Sequence, residues 1–204
     1  MEATINTWLA DIEAEEDVTI VYACESGSRA WGFPSADSDY DVRFIYLHRI
    51  EWYLSISAGR DVIERPISGL LDVNGWDLKK ALQLYRKSNP VLFEWLNSPI
   101  VYRDTHSVAE KLRDLSSDYY SSTAGAYHYL QMAQGNAKDL VRGGGVRIKK
   151  YFYVLRPLLA VNWIKQGRGV VPTEFDALVD RIVTSSTLRS EIEKLVAAKR
   201  LGEE

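Results

Sequence analysis

Cysteine is almost absent from this chain: Cys24 is the single one in 204 residues. An internal disulfide is therefore excluded, and a reducing, cytoplasmic setting is expected. Cys24 lies between Ala23 and Glu25 in an apolar stretch and reads as a packed thiol rather than a nucleophile. No apolar run approaches the ~20 residues of a membrane-spanning helix. Residues 1–16 are acidic, mix polar with apolar positions, and read as a helix rather than a signal peptide. No repeat of roughly 20–50 residues is visible. Histidine is scarce too, and His48, His106 and His128 lack the spacing of metal ligands, so all three read as structural or surface residues. Nor is there a large charge of one sign: at a net −3, no overall field would hold long nucleic acid.

What is present describes an ordinary globular protein. Hydrophobic residues make up 46% and charged residues 26%, which sets disorder aside. The length suits one domain or two small ones sharing an interface. Six Trp and twelve Tyr supply anchors for a core and faces for base stacking. The β-branched stretch 18–23 predicts a buried strand. Residues 40–47 alternate Asp41, Arg43 and Ile45 with Tyr40, Val42, Phe44 and Tyr46, a half-buried strand with its polar edge first. Further strands are expected over 60–67 and 70–73. A helix is expected over 76–87 with Asp77 near its N-cap, and another from Asn89-Pro90 through Trp95. From about Asp104 onward the chain reads as helices, with Pro157 expected to kink or interrupt one. A mixed sheet followed by helices is an α+β arrangement.

The chemistry concentrates in Gly27-Ser28-Arg29-Ala30-Trp31-Gly32, followed by Ser38-Asp39-Tyr40-Asp41. Two acids at i and i+2 of a strand point to one face and can share a divalent cation. A Gly-Ser turn offers unhindered backbone N–H groups and a hydroxyl to phosphate oxygens. A metal–carboxylate pair beside a phosphate cradle is what nucleotidyl transfer requires. An EF-hand reading of Asp37, Asp39 and Asp41 fails, because Val42 and His48 stand where the turn glycine and the bidentate glutamate belong.

The pattern G-S-x-x-x-G-(x)5-S-D-x-D resembles the signature of the DNA polymerase β nucleotidyltransferase superfamily, especially its small prokaryotic members with a G-S-R-A-x-G turn. Downstream, Asp72 to Lys80, Asn89-Pro90 through Leu96, and Lys149-Lys150-Tyr151 leading to Leu155-Arg156-Pro157-Leu158 resemble a subgroup associated with RNA-repair gene sets. The resemblance covers roughly residues 18–170. It implies a small mixed-sheet nucleotidyltransferase core, placed at 1–103, followed by a mostly α-helical C-terminal domain at 104–204.

A third carboxylate on a neighbouring strand is expected to act as general base and complete a Mg2+ or Mn2+ site with Asp39 and Asp41. Asp72 is the first candidate by strand context and by resemblance, ahead of Glu64 and then Asp77. Gly27 and Ser28 are expected at the nucleotide phosphates. For Arg29 and Arg43 two readings stand together, neutralising the acids or reaching a phosphate. Between Asp139 and Glu174 there is no acidic residue but seven basic ones, and on a helix Lys149, Tyr153 and Arg156 fall near one face. That face could grip a triphosphate and stack a base, with Lys149 and Arg156 neutralising pyrophosphate. Gly143-Gly144-Gly145, after Arg142, reads as a hinge or loop, and a nucleotide-binding glycine loop is the sharper alternative.

The expectation is an enzyme moving an NMP from an NTP onto an acceptor hydroxyl, whether of an RNA end, a protein side chain or a small molecule. The rival expectation is a non-catalytic, regulatory or antitoxin-like module that retains the fold.

Overall fold

The computed structural model describes residues 1–57, 59–141 and 147–203, the side chains of Asp139 and Val141 excepted. The Arg142–Gly145 run singled out above lies outside the described residues.

Helix α1, Glu2–Glu16, aligns Ile5, Leu9 and Ile12 at helical spacing, and all three are buried. Asp17 ends it in the left-handed conformation. Strand β1, Val18–Glu25, is buried at every position but Thr19, as its unbroken apolar run predicts. The glycine-serine segment that follows is not an open turn but a short helix, α2, Gly27–Trp31, ended by Gly32 at φ 96°. After it come β2, Tyr40–His48, α3, Ile50–Tyr53, β3, Val62–Glu64, and β4, Leu71–Asp77. Next are α4, Leu78–Arg86, α5, Pro90–Leu96, and β5, Val101–Asp104. The rest is helical: α6, Val108–Asp114, α7, Ser116–Tyr119, α8, Ser122–Val141, α9, Ile148–Lys165, α10, Phe175–Ile182, and α11, Ser186–Arg200.

The sheet runs β3-β4-β2-β1-β5, with β2 and β4 parallel and the other pairs antiparallel. On one face α1 packs over Ile20, Val42, Phe44, Tyr46 and Val73. On the other, α4, α5 and α6 cover Val21, Tyr22, Cys24 and Ile45. Cys24 is fully buried there, and burial pushes its thiol up to about 12. A thiol so disinclined to ionise is a core residue, not a nucleophile. Helices α8 to α11 close a further core around Tyr129, Phe152, Phe175 and Leu178, into which Phe33 also packs. The α+β class is thus as the sequence indicates.

Five local readings need correction. The strand expected over 60–67 shrinks to Val62–Glu64, and the one over 70–73 extends through Trp76 and Asp77. Helix α4 therefore starts two residues late, at Leu78, with the Asp77 carboxylate accepting from the Lys79 amide as its N-cap. Strand β5 escaped notice because it is short and charged at Arg103 and Asp104. Finally, α9 runs through Pro157 without a break. A proline leaves the carbonyl four residues back without its helical donor, and here the Asn136 side-chain amide donates to that Tyr153 carbonyl at 3.1 Å.

Candidate active site

Strand pairing builds the site. In the parallel ladder Asp41 of β2 lies directly opposite Asp72 of β4. Both side chains are half-buried, and one nitrogen of Arg43, Nη2, donates to each, 2.8 Å from Oδ1 of Asp41 and 2.8 Å from Oδ2 of Asp72. The other terminal nitrogen donates to the carbonyls of Val42 and Asp72 at 3.1 and 3.0 Å. Burial raises the Asp41 pKa above its ordinary value; Arg43 opposes this, and the Asp72 and Asp39 charges add to it.

Asp41 is also held by its backbone. Its amide donates to Oε1 of the buried Glu25 at 2.7 Å, and its carbonyl accepts from Ser26 at 2.8 Å. Tyr102 of β5 donates to the other Glu25 oxygen. The glycine of the motif has a reason that spacing alone did not reveal. Gly27 has φ +59°, and a Cβ there would lie 2.0 Å from Oδ2 of Asp41. The motif glycine makes room for the carboxylate.

Asp39 precedes β2 and is exposed in the loop rather than paired within the strand. Arg29 fixes that loop, donating from Nε to the Asp39 carbonyl at 3.1 Å and from Nη2 to the Ser38 carbonyl at 2.8 Å. Its guanidinium lies 3.6 Å from the Tyr40 ring centre. Arg29 and Arg43 are thus both engaged by protein oxygens, Arg29 those of the loop and Arg43 those of the acids.

A cavity of about 240 Å3 brings Ser28, Asp39 and Asp41 together with Lys149 and Tyr153 of α9 and Lys199 of α11. Trp31, Phe33 and Phe152 form its aromatic wall, with Trp31 edge-on to Tyr153 and Phe33 stacked on Phe152 at 4.4 Å. Burial alone would depress Lys149, but Tyr153 and the Asp41 and Asp39 carboxylates outweigh it and raise the pKa. Lys199 donates to the Ser35 hydroxyl at 2.7 Å.

Arg156 does not join this group. It is 1% exposed and donates to Glu94 of α5 and to the carbonyls of Pro172 and Thr173. A guanidinium so enclosed has no route to a triphosphate, so its expected phosphate role is withdrawn. Its helical spacing from Lys149 was right, but α9 is packed on several sides and Arg156 falls on the inner one. Glu64 stays on the exposed edge strand with Arg60 and Asn74, and Asp77 is spent on capping α4 and on Tyr53. Glu25, Tyr102 and Lys199 were missed, and Trp31 was given no role although it stands in the glycine-serine motif; of the first three only Glu25, a charge closing an apolar strand beside that motif, left a signal.

Among the described residues no three His, Cys, Asp or Glu side chains converge on a single point. The acid pair nevertheless fits a cation, because Nη2 of Arg43 already occupies the position between one oxygen of each. Among the described residues, too, no helix is long and apolar enough to cross a membrane.

This chain belongs to the RNA repair pathway DNA polymerase beta family, whose model matches residues 1–204. The uncharacterized protein YcgL of Bacillus subtilis (strain 168) is 52% identical over 204 residues, spanning 100% of this chain and 78% of its own. Among solved structures, a nucleotidyltransferase-like protein from Exiguobacterium sibiricum 255-15 is similar with a TM-score of 0.39 and 12% identity, over 98% of this chain and 73% of that one.

Proposed function

We propose that this chain is a divalent-metal-dependent nucleotidyltransferase that moves an NMP from an NTP onto an acceptor hydroxyl. The observation that carries the reading is Asp41, which stands opposite Asp72 across the parallel strands and lines a cavity that also holds Asp39, Ser28 and Lys149.

Asp41 and Asp72, with Asp39 on the loop beside Asp41, would hold Mg2+ or Mn2+, which when bound would neutralise triphosphate charge and favour the nucleophilic form of the acceptor. The chain's own groups account for the remaining work. Ser28 and the Gly27 backbone receive the β- and γ-phosphates, and Lys149 offsets the charge gathering on pyrophosphate. Trp31 of the aromatic wall and Tyr153 beside it are suited to a base. The acceptor oxygen bonds the α-phosphorus as the bond to the bridging oxygen of the β-phosphate breaks. Pyrophosphate leaves, and the hydroxyl proton passes to Asp72. Holding the reactants in line is most of the catalysis.

An RNA end is the acceptor favoured here, on the strength of the family's description. Incubation with each α-labelled NTP and a mixed RNA pool tests this directly. Label on RNA supports it, label on protein or a small molecule moves the acceptor, and no transfer with any NTP sinks the enzymatic reading. The non-catalytic reading draws support from one observation, the neutralisation of the acid pair by Arg43.

A further inference from the structure

The cation position between Asp41 and Asp72 is filled by the protein itself. Arg43 is bonded at four points, two carboxylates and two backbone carbonyls, and its side chain is only 17% exposed. It is therefore a seated group and not a surface pair that solvent screens away. Two carboxylates facing each other across adjacent strands would repel without it. A divalent ion brings two charges to Arg43's one and prefers oxygen ligands. At Asp41 both cations need the same oxygen, since Oδ1 is turned to Arg43 while Oδ2 lies against Gly27.

We infer that Arg43 is the resident counter-ion of the Asp41–Asp72 pair: it holds both carboxylates in place in the metal-free protein and yields them to an incoming divalent cation. In what concerns the cation, this rests on the metal-binding reading above. Two consequences follow from the competition. The empty site stays assembled instead of springing apart, and the metal binds less tightly than to two unopposed carboxylates, because Arg43 must first let go. Arg43 is thus a positioning residue that sets metal affinity.

The test is a Mn2+ titration read by the paramagnetic resonance of the free ion, with thermal melts alongside. The proteins are wild type, Arg43→Gln, Arg43→Lys and the Asp39→Asn/Asp41→Asn double variant. Arg43→Gln should bind Mn2+ roughly tenfold or more tightly than wild type. Its melting temperature should fall without metal and recover most of the loss at saturating Mn2+. Arg43→Lys, which keeps the charge, should stay near wild-type affinity. Equal or weaker binding by Arg43→Gln overturns the counter-ion role, yet leaves the metal reading standing if wild type binds and the double aspartate variant does not. No binding by wild type or Arg43→Gln overturns both. Should Arg43→Gln fail to fold without metal, refolding with and without Mn2+ decides: recovery only with Mn2+ supports the role, and failure in both conditions overturns it.

Discussion

Glu94 of α5 and Arg156 of α9 form an ion pair inside the protein, their side chains 8% and 1% exposed. The hydroxyl of Tyr129 and the indole N–H of Trp31 also donate to the Glu94 carboxylate, each at 3.4 Å, and the Arg156 guanidinium lies 4.9 Å from the Trp31 ring centre. Trp31 sits on the same short helix as Ser28, so this pair ties a wall of the cavity to the helical half of the chain.

Lys149 and Arg156, close in sequence and alike in charge, should therefore behave differently. Arg156→Gln leaves Glu94 buried without its partner and should cost about 3–5 kcal/mol of stability, read by denaturant unfolding. Lys149→Gln should leave the melting temperature nearly unchanged and weaken NTP binding by about 1–3 kcal/mol, with little effect on nucleoside binding. Calorimetric titration of both ligands separates the two, and a nucleoside loss equal to the NTP loss would refute the phosphate assignment.

Gly27→Ala should be severe. The alanine must adopt φ +59° and push its Cβ against Oδ2 of Asp41. Backbone strain alone costs about 1–3 kcal/mol, and the carboxylate must turn from its present position. Loss of both stability and metal binding is expected; a variant that keeps its Mn2+ response would show that the Asp41 rotamer does not matter.

Asp72→Asn and Glu64→Gln each remove a negative charge with little change in volume. Because only Asp72 faces Asp41, Asp72→Asn should reduce nucleotidyl transfer by orders of magnitude, whereas Glu64→Gln should be mild. Rates measured on whichever acceptor takes the label decide it, and the opposite order of severity would move the third acid to β3.

Glu25 gives a pH signature. Burial raises its pKa above the ordinary value, against the opposing bonds from Tyr102 and the Asp41 amide. The folded protein thus holds this proton more tightly than the unfolded chain does. The stability it contributes is complete below the ordinary carboxyl range and is lost as pH rises through the folded value. Glu25→Gln cannot titrate, so its melting temperature should improve relative to wild type on going from acid to neutral pH. A constant gap between the two across that range would contradict the burial argument.

Much of the site could be read from the chain because its parts lie close in sequence. Gly27, Ser28, Asp39 and Asp41 fall within one β-α-β stretch, where spacing speaks directly. Asp72 came from strand context and resemblance, but its partner was hidden, since pairing between β2 and β4 depends on the register of two distant strands. Arg43 and Arg29 were each left with two readings for the same reason: the oxygens they bond, on Asp72 and on the Ser38–Asp39 backbone, are supplied by the fold. Arg156 was misjudged because a helical face records spacing and not which side is enclosed. That α9 continues past Pro157 was hidden because the group that satisfies the Tyr153 carbonyl comes from another helix, at Asn136.

The parallel pairing of β2 with β4 has a consequence in time as well as in space. Parallel neighbours cannot be joined by a tight turn; the chain must travel through α3 and β3 before β4 can dock. Non-local contacts of this kind are paid for in loop entropy before they return anything, and they form slowly. A chain leaving the ribosome displays Asp41 long before Asp72 can stand beside it. The acid pair belongs to the completed sheet alone, so an unfinished or partly unfolded chain carries the aspartates without the pair.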